Sequence, residues 1–193
     1  RTDRVRFSTL DSESPSTMLP RRHMEIVKAV REAGVVGAGG AGFPAHVKLE
    51  ADAEYVLANG AECEPLLHKD AELTEVYADQ VLRGMEFSMQ ATGADKAIFG
   101  IKAKRTRAVA ILEEATDSKK IKVQLFDDYY PAGDEFVLVY ECTGRLIPPG
   151  GIPLQVGTVV HNSETLYNIA EAVDGRSVTK KILTVAGAVA TPM

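Results

Sequence analysis

Tyr55–Ile101, YVLANGAECEPLLHKDAELTEVYADQVLRGMEFSMQATGADKAIFGI, decides the fold. Its first residues, Tyr55–Ala58, form a short apolar run that stops at Asn59-Gly60, the pattern of a buried strand. Asp70 stands where a helix N-cap belongs, and Leu73, Val76, Tyr77, Val81, Met85 and Met89 recur at helical spacing as one stripe. Gly93 supplies the stop. Ala97–Ile101 is again an apolar, strand-like run. Strand, long helix and strand together make a unit that joins parallel neighbours.

Outward from this unit the alternation continues. Arg105–Ala115 reads as an amphipathic helix and Ile121–Phe126 as a strand with alternating faces. A turn at Pro131–Gly133 leads into a helical stretch, Glu135–Thr143. Pro148–Pro153 is a loop, and Asn162 or Ser163 caps a helix through Val173. On the N-terminal side Ile26, Val27, Val30 and Ala33 share one helical face, which Gly34 ends. The pattern predicts an α/β sandwich around a largely parallel sheet, carried by residues 24–176. Residues 1–23 have no periodicity and are rich in Ser, Thr, Pro and Arg; they read as a vector-derived or flexible leader. Residues 177–193 are β-rich and read as the truncated start of a second domain.

The chain has 193 residues, 45% of them apolar and 25% charged, with a formal net charge of -5. This is the make-up of a soluble globular domain. The acidic balance argues against nucleic-acid phosphates or anionic membranes as partners, because both are bound by clustered Lys and Arg. The two cysteines, Cys63 and Cys142, cannot build a disulfide framework or a four-thiolate cluster, and they point to a cytoplasmic protein. The four histidines, His23, His46, His68 and His161, are scattered without metal-ligand spacing, so no metal site is expected. No apolar run approaches the roughly 20 residues that cross a bilayer.

Two stretches carry candidate chemistry. GAGGAGFP, Gly37–Pro44, packs Gly37, Gly39, Gly40 and Gly42 into six residues, which lets backbone approach a flat or phosphorylated ligand and turns N–H groups toward an anion. A plain hinge would use the same glycines. Phe43 and Pro44 favour a ligand, since they fix the exit of the loop and offer a ring face. The GxGxxG match alone is weak, because a helix and not a strand precedes it. NGAECEP, Asn59–Pro65, lies at the carboxyl end of the first strand, where open α/β sheets bind ligands. The Asn59 carboxamide both donates and accepts, which suits a heterocycle edge. Glu62 and Glu64 form either an acid/base pair or a solvated acidic turn, and Cys63 reads as a small buried or site-lining side chain.

Four ordered strings, GVVGAGGAGFPAHVKL (Gly34–Leu49), NGAECEPLLHKD (Asn59–Asp70), YPAGDEF (Tyr130–Phe136) and VGTVVHNSETLYNIAEAV (Val156–Val173), resemble the family of the complex I flavin subunit and the RnfC subunit of ferredoxin:NAD oxidoreductase. The wording YPAGDE, GRLIPPGGIPL and TVAGAVATP is most similar to PduS-type cobalamin reductases within that family. The resemblance implies a Rossmann-like FMN-binding sandwich followed by a β-rich, SLBB-like domain and two 4Fe-4S clusters beyond it.

By the same resemblance Gly37, Gly39, Gly40, Gly42, Lys48, Asn59, Glu62, Gly133, Asp134, Glu135, Asn162 and Thr165 surround FMN, and Phe43, Glu64 and Glu135 meet NADH. Lys48 is suited to neutralise the phosphate, and a capped helix start at Asn162 presents free N–H groups to an anion. The implied function is NADH-dependent electron transfer: hydride to FMN, then single electrons to iron-sulfur clusters and on to a cobalamin system or a ferredoxin-like protein. No side chain is assigned as acid, base or nucleophile. The implied location is the cytoplasm, within a bacterial microcompartment or at the cytoplasmic side of a membrane complex. Ala38 and Ala61 depart from the complex I flavin subunit, in which Arg and an acid stand there, and these departures bear on NADH more than on FMN. They keep open a non-catalytic scaffold module or an RnfC-type subunit.

Overall fold

The computed structural model describes residues 15–116, 120–185 and 187–188, with side chains from His23 onward. The chain forms α1 (Pro15–Glu32), α2 (Ala45–Leu49), β1 (Tyr55–Gly60), α3 (Lys69–Thr92), β2 (Lys96–Lys102), α4 (Thr106–Thr116), β3 (Ile121–Phe126), α5 (Glu135–Thr143), β4 (Thr158–Asn162) and α6 (Ser163–Val173), with one 3-10 turn at Pro153–Val156. The four strands make a single parallel sheet in the order β3-β2-β1-β4. The chain therefore lays β2 and β3 on one side of β1 and returns to place β4 on the other. That reversal is a topological switch point.

Both faces of the sheet are covered, as parallel strands require. Val56 and Ala58 of β1 and Ala97, Phe99 and Ile101 of β2 face the larger core, shared with α1, α2, α3, α4 and α6. Leu57, Ile98, Phe126 and Val160 face the smaller one, under Leu138 and Val139 of α5. The tightest helix contact is between α3 and α6. A Cβ on Gly84 would strike the Leu166 backbone, so glycine is what allows these two helices to touch.

Several sequence expectations change in detail. β4 is a strand that the sequence pattern leaves unassigned, between the Pro148–Pro153 loop and the cap at Asn162. α1 begins at Pro15, inside the stretch read as a leader, while residues 1–14 lie outside the described residues. Asp70 is not the N-cap of α3: the helix starts at Lys69 after His68. The work of a cap is done from a distance, by the Glu62 carboxylate, which accepts the Asp70 N–H at 2.8 Å. The apolar stripe breaks at Val76, 68% exposed, because the backbone leaves helical geometry at Tyr77 (φ -128°, ψ 34°) and turns the first part of α3 relative to the rest. Residues 177–185 and 187–188 carry no regular secondary structure, and the rest of the expected start of a β-rich domain, residues 186 and 189–193, lies outside the described residues. Among the described residues no helix is long and apolar enough to cross a membrane.

Candidate flavin cleft

The carboxyl ends of β1 and β4 open into a cleft of about 760 Å³. Asn59 of β1 and Asn162 of β4 are register partners at its floor. The cleft is thus seated at the switch point, where open α/β sheets bind ligands. It is lined by Gly37, Gly39, Gly40, Phe43, Lys48, Asn59, Glu62, Glu64, Gly133, Asp134, Glu135, Asn162 and Thr165, which the sequence scatters over 129 positions. Gly42 is the one expected residue outside the lining. Its φ of +67° instead shapes the loop, which closes on itself through Gly37 N–H to Phe43 O at 2.8 Å.

Each wall is held by a specific bond. The Lys48 ammonium donates to the Val160 carbonyl at 2.8 Å and pairs with Glu135 at 3.4 Å, beneath the Phe43 ring. Lys48 is therefore anchored to β4, and its charge is shared with Glu135. The Asn59 carboxamide donates to Gly133 O at 2.8 Å, and Cys63 Sγ accepts Gly133 N–H at 3.0 Å, so the turn before α5 is tied to the end of β1. The Asp134 side chain caps α5, accepting from the N–H groups of Phe136 and Val137. The Glu62 carboxylate is buried against Asp70 N–H and Arg105, while Glu64 and Phe43 stand exposed at the mouth.

The densest polar cluster gathers at the start of α6. Asn162 caps the helix by accepting Glu164 N–H at 3.1 Å and donates to Asp70 at 2.8 Å. Thr165 Oγ1 accepts the Ala38 N–H at 2.9 Å. The buried Glu164 carboxylate accepts from Lys69 at 3.0 Å and from Lys181 at 2.6 Å. Burial alone would raise the Glu164 carboxyl, but the Ile182 N–H, Lys181 and Lys69 outweigh it and hold the group below its ordinary range. For Lys69, burial is outweighed by Asp70 and Glu164, and the ammonium is held above its usual value. Burial pushes Asp70 up to about 6 against the opposing pull of Lys69, with Glu62 adding to the rise. His161 is buried on β4; burial first, then the Lys48 charge, lower it to about 3, so the ring is neutral.

Sequence reasoning passed over Lys69, Asp70, Glu164 and Lys181 as site residues. A KD pair after an acidic turn and an Asn-x-Glu at a helix start were both visible, but partners 95 positions apart leave no local trace.

The residues present fit FMN. The volume lies within the roughly 300–1,000 Å³ of ligand pockets. Asp70 Oδ1 and His161 Nε2, both on cleft-lining residues, have no hydrogen-bond partner within the protein. Lys69 stands 3.5 Å from that same oxygen, an ion-pair distance too long for a well-formed hydrogen bond.

Residues 30–171 match the family described as the Nuo51 FMN-binding domain. The chain is 47% identical over 169 residues to cobalamin reductase PduS of Citrobacter freundii, covering 87% of this chain and 37% of that one. It is 36% identical over 168 residues to one of the subunits of the proton-translocating ferredoxin:NAD(+) oxidoreductase complex of Clostridium ljungdahlii, covering 84% and 37%. Among solved structures, an NAD+-reducing NiFe hydrogenase is similar with a TM-score of 0.69 at 30% identity, over 84% of this chain and 33% of that one. The chain thus spans under two fifths of the length of these relatives.

Proposed function

The chain belongs to the Nuo51 FMN-binding domain family, and from that premise we propose that it holds FMN in the cleft at the ends of β1 and β4 for NADH-linked electron transfer. The observation that carries the proposal is the convergence at the switch point of the glycine loop, Lys48, Asn59, the Gly133–Glu135 turn and the Asn162 helix start. When bound, FMN supplies the chemistry, taking an electron pair as hydride from a reduced nicotinamide and releasing electrons singly.

The protein's residues bind and orient. With FMN bound, the glycine loop would offer it backbone with no side chain larger than a methyl from Gly37 to Gly42. The first turn of α6, capped by Asn162, favours the phosphate through its unpaired N–H groups and helix dipole. Asn59, already donating to Gly133, keeps the β1 end and the α5 turn at fixed separation, so the slot between them has a set width. Phe43 and Glu64, exposed residues of the cleft lining, are the side chains proposed to meet the nicotinamide dinucleotide.

The single-electron acceptors are proposed to be iron-sulfur clusters held outside these 193 residues, feeding a cobalamin system or a ferredoxin-like protein. Similarity to PduS and to an ion-translocating complex supports that class of partner. A location in a bacterial microcompartment or beside a membrane complex belongs to the same proposal. The test is an FMN titration followed by visible absorption, then anaerobic addition of NADH. Bleaching of the bound flavin is expected; bound flavin that stays oxidised would remove NADH as donor, and no binding would remove the flavin reading.

A further inference from the structure

The stretch Val178–Thr184 follows α6 without regular secondary structure, yet its hydrogen bonds run to the elements that build the cleft. Val178 N–H donates to Ala33 O at 3.0 Å, and Thr184 Oγ1 accepts His68 N–H at 3.3 Å. Between them Ile182 N–H donates to Glu164 at 3.0 Å, and the Lys181 ammonium donates to Glu164 at 2.6 Å and to Ala38 O at 3.0 Å. Lys181, Ile182, Leu183 and Thr184 all line the cleft.

Glu164, 2% exposed, is the centre of this arrangement. Lys69 donates to the same carboxylate oxygen as Lys181 and to the same Ala38 carbonyl, at 3.0 and 3.4 Å. Thr165 takes the N–H of Ala38. Both backbone polar groups of one glycine-loop residue are therefore fixed from the first turn of α6, the N–H directly and the carbonyl through two lysines that Glu164 holds. A loop with four glycines is costly to order, at about 1–2 kcal/mol per residue. Ordering it before a ligand arrives removes that cost from binding.

We infer that Lys181 is a positioning residue for the flavin: with Glu164 it clamps the Ala38 carbonyl, making residues 178–184 a wall of the cleft. The inference rests on the flavin reading for its ligand, but the clamp itself exists without one. Coupling is reciprocal, so flavin binding tightens the wall as the wall tightens flavin binding.

The test is Lys181→Met, with Lys181→Arg as the conservative control, in the full chain. The Lys181 side chain is 51% exposed, so its replacement leaves the core alone. In the ligand-free protein Lys181→Met speeds hydrogen exchange at Ile182 and at Ala38, whose N–H is held by Thr165, while Lys69 and the Ile182 N–H still pair Glu164 and keep the fall in melting temperature small. Affinity for FMN and for riboflavin falls by the same factor, about tenfold, and Lys181→Arg restores it. In the wild type FMN slows exchange at Ile182. Unchanged exchange and affinity in Lys181→Met would overturn the inference. So would a loss confined to FMN, which would make Lys181 a direct phosphate ligand. If the wild type binds neither flavin, the flavin reading fails, while ligand-free exchange still decides the clamp.

Discussion

Asn59 and Gly133 lie 74 residues apart, and the Asn59 carboxamide donates to the Gly133 carbonyl at 2.8 Å. Cys63 Sγ takes the Gly133 N–H, so one loop satisfies both polar groups of one glycine. There is no room there for a side chain: a Cβ would fall on the Ala61 carbonyl oxygen and within 3.0 Å of Cys63 Sγ. Gly133→Ala is expected to push the α5 turn off the end of β1 and weaken FMN binding at least a hundredfold, on the order of 3 kcal/mol. Flavin fluorescence titration measures it. Asn59→Ala removes two bonds, the one to Gly133 O and the Ala61 N–H to Asn59 Oδ1 at 3.2 Å, and its expected cost is about 1–3 kcal/mol of stability, read from urea denaturation.

A second glycine separates local propensity from packing. Gly84 lies inside α3, where alanine would ordinarily stabilise by about 1 kcal/mol. Here the added Cβ meets the Leu166 backbone of α6, and backbone cannot step aside as a flexible side chain can. Gly84→Ala is expected to destabilise by about 1–3 kcal/mol, as overpacked cores do. Thermal denaturation checks the sign: a rise in melting temperature would contradict the α3–α6 contact.

The contrast between these glycines shows what the sequence made legible. Gly93 announced its role at the end of α3, because a left-handed residue after an apolar stripe is a local signal. Gly84 and Gly133 did not, since what each one touches arrives from elsewhere in the chain. β1, β2 and β3 were readable as apolar runs, whereas β4 is five residues between Gly157 and a helix cap, buried along Thr158–His161 with no alternation to mark it. The glycine loop, Lys48, Asn59 and Asn162 were found through motif wording. Lys69, Glu164 and Lys181 were passed over, because a carboxylate shared by two distant lysines has no spacing rule. Asp70 was seen, but as a cap, because its partner Asn162 lies 92 positions away.

Two buried groups make opposite demands as pH falls. Asp70 titrates near 6 in the fold against 3.8 ordinarily, so its contribution is full below about pH 4 and is lost as pH rises through about 6. Its size is about 3 kcal/mol, at about 1.4 kcal/mol per pH unit. His161 is lowered from 6.5 to about 3, so its contribution is present above about pH 6.5 and is lost as pH falls toward 3. Asp70→Asn is expected to be relatively more stable than the wild type at pH 7 than at pH 4. His161→Leu is expected to resist acid better than the wild type. Melting temperatures of the three proteins from pH 4 to pH 7 measure both differences, and parallel curves would refute both assignments.

Asn162 joins the two halves of this polar cluster, since its oxygen caps α6 while its amide nitrogen donates to Asp70 at 2.8 Å. Removing a cap costs about 1 kcal/mol. Asn162→Ala therefore loosens the first turn of α6, whose N–H groups are proposed to face the flavin phosphate. It also strips Asp70 of a bond that favours its ionised form, so the Asp70 carboxyl is expected to titrate higher than in the wild type. Asn162→Asp keeps the cap but sets a second carboxylate against Asp70, and like charges raise the pKa further. That added negative charge also repels the phosphate directly. FMN affinity should therefore fall in the order wild type, Asn162→Ala, Asn162→Asp, with riboflavin, which lacks the phosphate, much less affected. Parallel FMN and riboflavin titrations at pH 7 measure this, and equal losses for the two ligands would move the phosphate away from α6.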